Sequence, residues 1–337
     1  MAGLSPVLSP EDHAALSAWR LGSVLGASLP ATGTVNRTLL VQTGVGAYAL
    51  RTYRRPDRAR VKWEHAAISY AAARGIPVCR PLALPGGETV WEGDGRLFAL
   101  FPTAAGRQVR REELRVSEIA AAGRCLARIH LAFADFPIAQ ARLKPFSFDT
   151  AGTLASLARV QAAITARAAQ TDADRTALRH LAGRRQWLQR AAGLDGPTQG
   201  RFAALPQQVV HGDFQETNLF FEGAAVSAVI DWDQCGAAPR PWEVLRALHL
   251  MLGLAPDPCR VFLAAYRSLC PLPPSELHEA AACYGVLADQ NLWVYEAVYL
   301  EGSDRVRPFL TPGEFVPFAA RWRELVRHLS SAVRVVQ

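Results

Sequence analysis

The chain has almost no lysine. Of its 37 Lys and Arg residues only Lys62 and Lys144 carry an ammonium, and the rest are arginine. Set against 30 Asp and Glu, they leave a net charge of +7. That excess raises the expectation of an anionic partner, because arginine's planar fork suits phosphate and carboxylate; a solvated surface on an Arg-rich and Ala-rich chain is the plainer account. The arginines are scattered rather than gathered with aromatics in one block, which disfavours nucleic-acid binding. The six cysteines (Cys79, Cys125, Cys235, Cys259, Cys270, Cys283) include no C-x-x-C pair, which argues against a zinc site or a disulfide framework. They are expected to be reduced, mostly buried thiols. No uncharged apolar run approaches the roughly 18 residues of a membrane span. The opening "MAGLSPVLSPEDHAALSAWR" has no basic and apolar leader, so the expected setting is the cytoplasm, with no membrane partner. Internal repeats and low-complexity tails are also missing.

What is present is 337 residues with 50% hydrophobic content, enough for one large core or two smaller ones, with length favouring two lobes. "SPEDHAALSAW" starts as a helix, with Ser9 as N-cap and Pro10 in the first turn, and is expected to be peripheral. "SVLGAS", "RTLLVQT" and "AYALRTY" read as strands of an antiparallel meander, with "GVG" at 44–46 as a hairpin turn. "VKWEHAAISYAAARG" is a helix closed by Gly75. "GETVWEGDGRLFALFP" adds two strands around a Gly-Asp-Gly turn. Residues 1–101 are therefore expected to form an α+β lobe, a small antiparallel sheet with one main helix. From 102 to 337 the pattern is mainly helical, with "GLDGPTQGRFAALPQ" read as a loop.

The chemistry gathers in "VVHGDFQETNLFFEGAAVSAVIDWDQ", residues 209–234. "LFF" and "VSAVI" form a hairpin in which Gly223 can take a positive φ. Folding it back brings Asn218 beside Asp231, an amide oxygen and a carboxylate, hard donors suited to Mg²⁺. Asp213, five residues before Asn218, reaches the same place. A magnesium site with a carboxylate beside it suits phosphoryl transfer, in which Asp213 would orient a hydroxyl nucleophile. A dinuclear hydrolase built on His211 and Asp213 is disfavoured, since no second histidine follows or precedes within about thirty residues.

The spacing His-x-Asp-x-x-x-x-Asn, then a hairpin and Asp, resembles the aminoglycoside phosphotransferase and choline kinase family, small-molecule kinases with a protein-kinase-like fold. The likeness runs from about Gly22 to Arg246 and is most specific in "HGDFQETN" and "IDWDQ". It implies a two-lobed fold, residues 1–101 holding ATP (GTP possible) and residues 102–337 holding the catalytic loop and acceptor. It further implies that Asp213 is the base, His211 the imidazole bracing its loop, and Asn218 and Asp231 the magnesium ligands. Arg51 stands where such kinases place a phosphate-holding lysine, with Glu64 as its helix partner. Arginine keeps the charge but changes the fork. Lys62, two residues from Glu64, points elsewhere.

Other implied positions are less specific. The nucleotide lid would be "PATGTVNR", residues 30–37, with Gly33 and Thr34 approaching phosphate; a plain turn is the alternative. "ALFPTAAG" resembles the segment joining the lobes, with backbone groups of Phe101 and Thr103 facing adenine although Pro102 offers no N–H. Asp233 is either a further group beside the ligands or a turn cap. Glu243 is expected to be structural, and the stripe Trp293, Tyr295, Glu296 and Tyr299 to be core rather than a cation pocket. Only ten residues separate Asp231 from Trp242, and Gly212 replaces the arginine of H-R-D, so there is no room for a peptide-docking activation segment. The expectation is a Mg²⁺-dependent phosphotransferase acting on a small-molecule hydroxyl. The alternative is a nucleotide-binding regulatory relative with little turnover, motivated by Arg51.

Overall fold

Residues 8–30, 36–138, 141–144, 146–191 and 199–331 are described in the computed structural model of the chain. Among them no helix is long and apolar enough to cross a membrane. The described chain divides into two compact units: residues up to Arg142 with Gln208–Ala237 and Val261–Pro271, and Leu143–Gln207 with Ala238–Arg260 and residues from Leu272 onward. The first unit thus keeps the chain beyond Phe101, as far as Arg142, together with the sheet.

Glycine punctuation sets the strands of the first unit. β1 (Val24–Ser28), β2 (Arg37–Thr43), β3 (Gly46–Thr52), β4 (Trp91–Gly93) and β5 (Arg96–Pro102) form one antiparallel sheet in the order β1-β2-β3-β5-β4. The β4–β5 turn is tight because Asp94 and Gly95 both take positive φ, 50° and 70°, the combination an Asp-Gly hairpin favours. Alternation along β5 sends Phe98 and Leu100 to one face and Leu97 and Ala99 to the other.

Helices cover both faces. α2 (Arg58–Ala73) is capped by Asp57, whose carboxylate accepts from Arg60 N–H at 3.0 Å, and ends before Gly75 at φ +72°; its Val61 packs with Leu97 and Ala99. On the other face lies α1 (Pro10–Ala18), and here the expectation fails: this helix is not peripheral. Ala15, Leu16 and the following Trp19 are buried against Leu39, Val41, Leu50, Phe98 and Leu100. Asp12 is buried too, held by both Arg37 guanidinium nitrogens at 2.6 and 2.8 Å. A helix of nine residues has room for only a few apolar contacts, so its burial was not evident from its pattern.

α3 (Val116–Ala132), β6 (Gln207–Val210) and the hairpin β7 (Leu219–Glu222) and β8 (Ala225–Val229) complete what positions the site. Gly223 turns the hairpin at φ +57°. The hairpin is stitched to the chain after β5 by reciprocal bonds between Arg107 and Phe221 at 3.0 and 2.9 Å, and to the segment after α2 by Val229 N–H donating to Pro77 O at 2.7 Å.

The chain then runs through β9 (Gly236–Pro239), α7 (Arg240–Leu250) and α8 (Pro256–Arg267). In the second unit α4 (Thr150–Thr165), α5 (Asp172–Ala191) and α10 (Trp293–Tyr299) share a core of Leu157, Val160, Ile164, Leu181 and Tyr295, with Tyr299 packed against it; of the stripe expected to be core, Tyr295 is, whereas Trp293 at the start of α10 is exposed. α6 (Gln199–Ala203) interrupts the stretch expected to be loop, because Phe202 buries itself by stacking on Phe146 with centroids 5.1 Å apart. α9 (Pro274–Gln290) and α11 (Phe318–Ser331) complete it. None of the six cysteines is joined in a disulfide, and five of them are buried.

Candidate active site

The hairpin register decides which polar groups meet. Leu219 pairs with Val229, and Ile230 N–H donates to Asn218 O at 3.0 Å. Asn218 and Asp231 therefore leave the open end of the hairpin as near neighbours. Asn218 donates through Nδ2 to Asp213 O at 2.8 Å and to Asp213 Oδ2 at 3.0 Å. With both amide hydrogens spent on Asp213, Oδ1 is turned the other way. Gln215 Nε2 also donates to Asp213 Oδ2, at 3.0 Å, so the Asp213 carboxylate is oriented from two side chains of its own loop.

His211 is fully buried and bridges this loop to the hairpin. Its Nε2 donates to Ile230 O at 2.9 Å and its Nδ1 accepts from Asp213 N–H at 3.2 Å. One neutral tautomer satisfies both bonds. The ring also meets Trp232 edge-on at 4.6 Å.

Asp231 takes φ 61° and ψ 63°, the left-handed region. Aspartate tolerates this better than most residues, at a cost of about 1–2 kcal/mol, and such outliers collect at functional sites. The twist brings Asp231 Oδ1 to 2.7 Å from Arg51 Nη2. Arg51, on β3 between Thr38 and Ala99, also reaches Glu64 Oε1 at 3.6 Å through Nη1 and Asp233 Oδ2 at 3.8 Å through Nη2. Its Cζ lies 5.3 Å from the Tyr53 ring centre.

Burial and the neighbouring charges together shift Arg51, Glu64 and Asp233. Burial works against the Arg51 charge, but Asp231 and Glu64 outweigh it and hold the guanidinium protonated. Glu64 is pushed up to about 7, first by burial, with Arg51 opposing and Asp233 and Asp231 adding. Asp233 is raised by burial and by Asp231. Its side chain faces Arg51 and accepts from Asn36 Nδ2 at 3.4 Å; of the two expectations for Asp233, this geometry is that of a group beside the cluster. Next to Glu64, His65 falls to about 4 through burial and then the Arg51 charge.

Several supporting residues carried no flag in the sequence. Arg60 donates to Asp233 O; its place one helical turn before Glu64 was the available signal. Gln108 donates to Thr217 O, next to Asn218, and neither it nor Asn36 was detectable, since both arrive from distant elements. Lys62 points to Glu88 at 3.0 Å, away from Arg51 as expected. Gly33 and Thr34 lie outside the described residues. For Phe101 and Thr103 the sheet supplies a correction. Thr103 N–H donates to Ala47 O at 3.3 Å, and Phe101 pairs with Ala49 two residues along the same ladder. Both backbones are turned toward β3 by the antiparallel alternation, not toward an open edge.

A magnesium ion fits this donor set. Among the described residues no group of three His, Cys, Asp or Glu side chains is arranged to hold a metal. Mg²⁺ needs none, being held by one or two carboxylates together with substrate phosphates. Asn218 Oδ1 and the Asp231 carboxylate meet that requirement.

The five-stranded antiparallel sheet followed by mainly helical chain defines the class by fold, kinase-like α+β. The model of the phosphotransferase enzyme family matches residues 27–283, and the chain belongs to that family. A homoserine kinase of Afipia carboxidovorans is 31% identical over 234 residues, covering 69% of this chain and 65% of that protein. One from Xanthobacter autotrophicus is 29% identical over 240 residues, covering 69% and 66%. The chain thus spans just under two thirds of the length of these relatives. Among solved structures, an aminoglycoside phosphotransferase from Alicyclobacillus acidocaldarius covers 99% of this chain and 98% of its own at 14% identity and a TM-score of 0.63. An amicoumacin kinase in complex with AMP-PNP and Ca²⁺ covers 93% and 97% at 17% identity and 0.57. At these identities the likeness is one of fold.

Proposed function

We propose that the protein is a small-molecule kinase that transfers the γ-phosphoryl group of ATP, or GTP, to a hydroxyl of a small metabolite. The observation that carries this reading is the joint orientation of Asp213, Asn218 and Asp231 at the mouth of one hairpin. Asp213, held by Asn218 and Gln215, accepts the proton of the attacking hydroxyl. The hydroxyl oxygen bonds to the γ-phosphorus as the bond to the β–γ bridging oxygen breaks, and the nucleoside diphosphate leaves. Arg51, kept protonated, contacts the phosphates, while Glu64 steadies its other nitrogen. His211 ties the Asp213 loop to the Asp231 end of the hairpin, so base and metal ligands keep their spacing. Bound Mg²⁺, held by Asn218 and Asp231, would neutralise charge on the phosphate oxygens.

The homoserine kinase relatives support an acceptor of the hydroxy amino acid class, with amino alcohols next. Six cysteines that form no disulfide support a reducing, cytoplasmic setting. The test is ADP release by the purified chain with Mg²⁺ and ATP over hydroxy amino acids, amino alcohols, sugars and aminoglycosides. Acceptor-dependent release that disappears in Asp213→Asn is expected; release no greater than the variant's with every acceptor counts against turnover. The second reading, a nucleotide-binding regulatory relative, is favoured by the engagement of Arg51 with Asp231. Tight ATP binding without ADP formation across that panel would select it.

A further inference from the structure

Arginine at position 51 does something a lysine could not do as well. Its two terminal nitrogens go to different acids, Nη1 to Glu64 at 3.6 Å and Nη2 to Asp231 at 2.7 Å. A lysine brings one nitrogen to the same spread of partners, whereas the planar fork spans them. The shorter contact falls on the carboxylate to which the proposed function gives the metal. A divalent cation approaching the ligand-free chain therefore finds Asp231 Oδ1 already paired with a positive charge. It must either displace the guanidinium or sit against it with like sign.

The arrangement also shows how the pairing is undone. The guanidinium has an unspent donor, since Arg51 Nε is buried without a hydrogen-bond partner. A phosphate chain offers that fork an anion with several acceptor oxygens. Nη2 can then leave Asp231 while Nη1 stays over Glu64, so the guanidinium turns rather than departs. We infer that Arg51 is an internal lock on the metal site, denying Asp231 to a divalent cation until nucleotide phosphates take the guanidinium, so that metal binds with nucleotide and not before it. This rests on the reading of Asp231 as a metal ligand. The carboxylate charge of Asp231 and Asp233 is shared by this one guanidinium. Once the fork has moved to phosphate, that charge attracts the cation.

The lock has a reciprocal consequence. If metal and Arg51 compete for Asp231, anything that removes Arg51 raises metal affinity in the absence of nucleotide. The competing contact is a charge-assisted hydrogen bond, worth about tenfold to a hundredfold in affinity.

The measurement is Mn²⁺ binding to nucleotide-free protein, read from the electron paramagnetic resonance signal of free Mn²⁺, for the natural chain, Arg51→Met, Asp231→Asn and the double variant. Circular dichroism checks that each is folded; should Arg51→Met not fold, Arg51→Lys, with one nitrogen for two acids, reads the same quantity. The natural chain is expected to bind Mn²⁺ weakly, Arg51→Met at least about tenfold more tightly, and the double variant to lose that gain. Equal Mn²⁺ affinity in the natural chain and folded Arg51→Met overturns the lock. In that case Asp231→Asn tells the two ideas apart. Loss of metal-dependent nucleotide binding in Asp231→Asn would leave the metal assignment standing without the lock. A gain that survives in the double variant would instead put the metal elsewhere and overturn both.

Discussion

Asp213 can be altered without disturbing what holds it. Asparagine at this position keeps an oxygen for the Gln215 and Asn218 donors and removes only the ability to take a proton. Asp213→Asn is expected to lose about 10²–10⁴ in kcat with nucleotide affinity unchanged within a few-fold. Steady-state kinetics beside calorimetric nucleotide titration checks this, and a parallel loss of binding would remove Asp213 from the role of base. Glu64 and His65, adjacent on α2, lend themselves to a pH experiment because they titrate in opposite senses. Glu64 is raised to about 7 and so binds its proton in the folded chain before the unfolded one, which makes its contribution grow as pH falls from 7 toward its ordinary range. His65 is lowered to about 4 and stays neutral in the folded chain while the unfolded one protonates, so its contribution is full above about 6.5 and is lost on acidification. The two offset one another near pH 5–6. Glu64→Gln removes the half that favours acid, and its Tm is expected to fall more steeply than that of the natural chain between pH 7 and 5. Parallel profiles in differential scanning calorimetry would refute the opposition. At this scale the sequence was legible where chemistry is contiguous: His211, Asp213 and Asn218 lie in one loop and Asp231 one hairpin away. Asn36, Arg60 and Gln108 were not, because what they support is fixed by tertiary approach and no local pattern marks it.

Among the elements, the hairpin that carries Asn218 and Asp231 depends on close backbone approach at Gly106. This glycine has φ +86°, and a Cβ there would meet Phe221 O at 2.3 Å and Phe221 C at 2.7 Å. Those atoms belong to the ladder that pairs Arg107 with Phe221, so they cannot yield without breaking it. Gly223, at the hairpin turn, also has positive φ, +57°, but nothing lies within 4 Å of its Cβ position. Gly223→Ala is therefore expected to cost about 1 kcal/mol, the backbone penalty alone. Gly106→Ala should cost at least about 2 kcal/mol more, from overpacking against main chain. Urea denaturation compares the two, and equal losses would mean that the linker yields freely. Strands were readable because short β-rich runs are set off by Gly44, Gly46, Gly93, Gly95 and Gly223. α6 was missed because five residues cannot show a helical period, and only the stacking of Phe202 on Phe146 fixes them. The end of β5 at Phe101, and Thr103 just beyond it, face β3 rather than the expected side, since which side of a strand its N–H groups face depends on the ladder phase and not on residue type.

Across the whole molecule, compactness does not follow chain order, and this is what length and composition could not convey. The first unit draws on three separated stretches. Residues 208–237 reach the rest of it through Val229 to Pro77, Phe221 to Arg107 and Trp232 to Phe133, the last two rings 5.8 Å apart. Residues 261–271 add the Tyr266 hydroxyl, 2.7 Å from His130 Nδ1, and an approach so close that a Cβ on Gly123 would lie 2.5 Å from Phe262 O. Within 208–237, Val209, Val210, Phe214, Leu219, Phe221, Val229 and Trp232 are all buried. At about 1.5–3 kcal/mol for each large apolar side chain, their burial is worth on the order of 10 kcal/mol or more, as much as the whole net stability of an ordinary domain, about 5–15 kcal/mol. A chain ending at Arg142 contains the complete five-stranded sheet, α1, α2 and α3, yet it lacks that burial and exposes Phe133 and Gly123 where Trp232 and Phe262 belong. It is expected to show no cooperative thermal transition and to bind a hydrophobic dye, whereas the full chain melts cooperatively. A cooperative melt from the 1–142 fragment, with dye binding no higher than that of the full chain, would mean that the sheet and its helices suffice as a folding unit and that the hairpin bearing Asn218 and Asp231 docks onto a preformed scaffold.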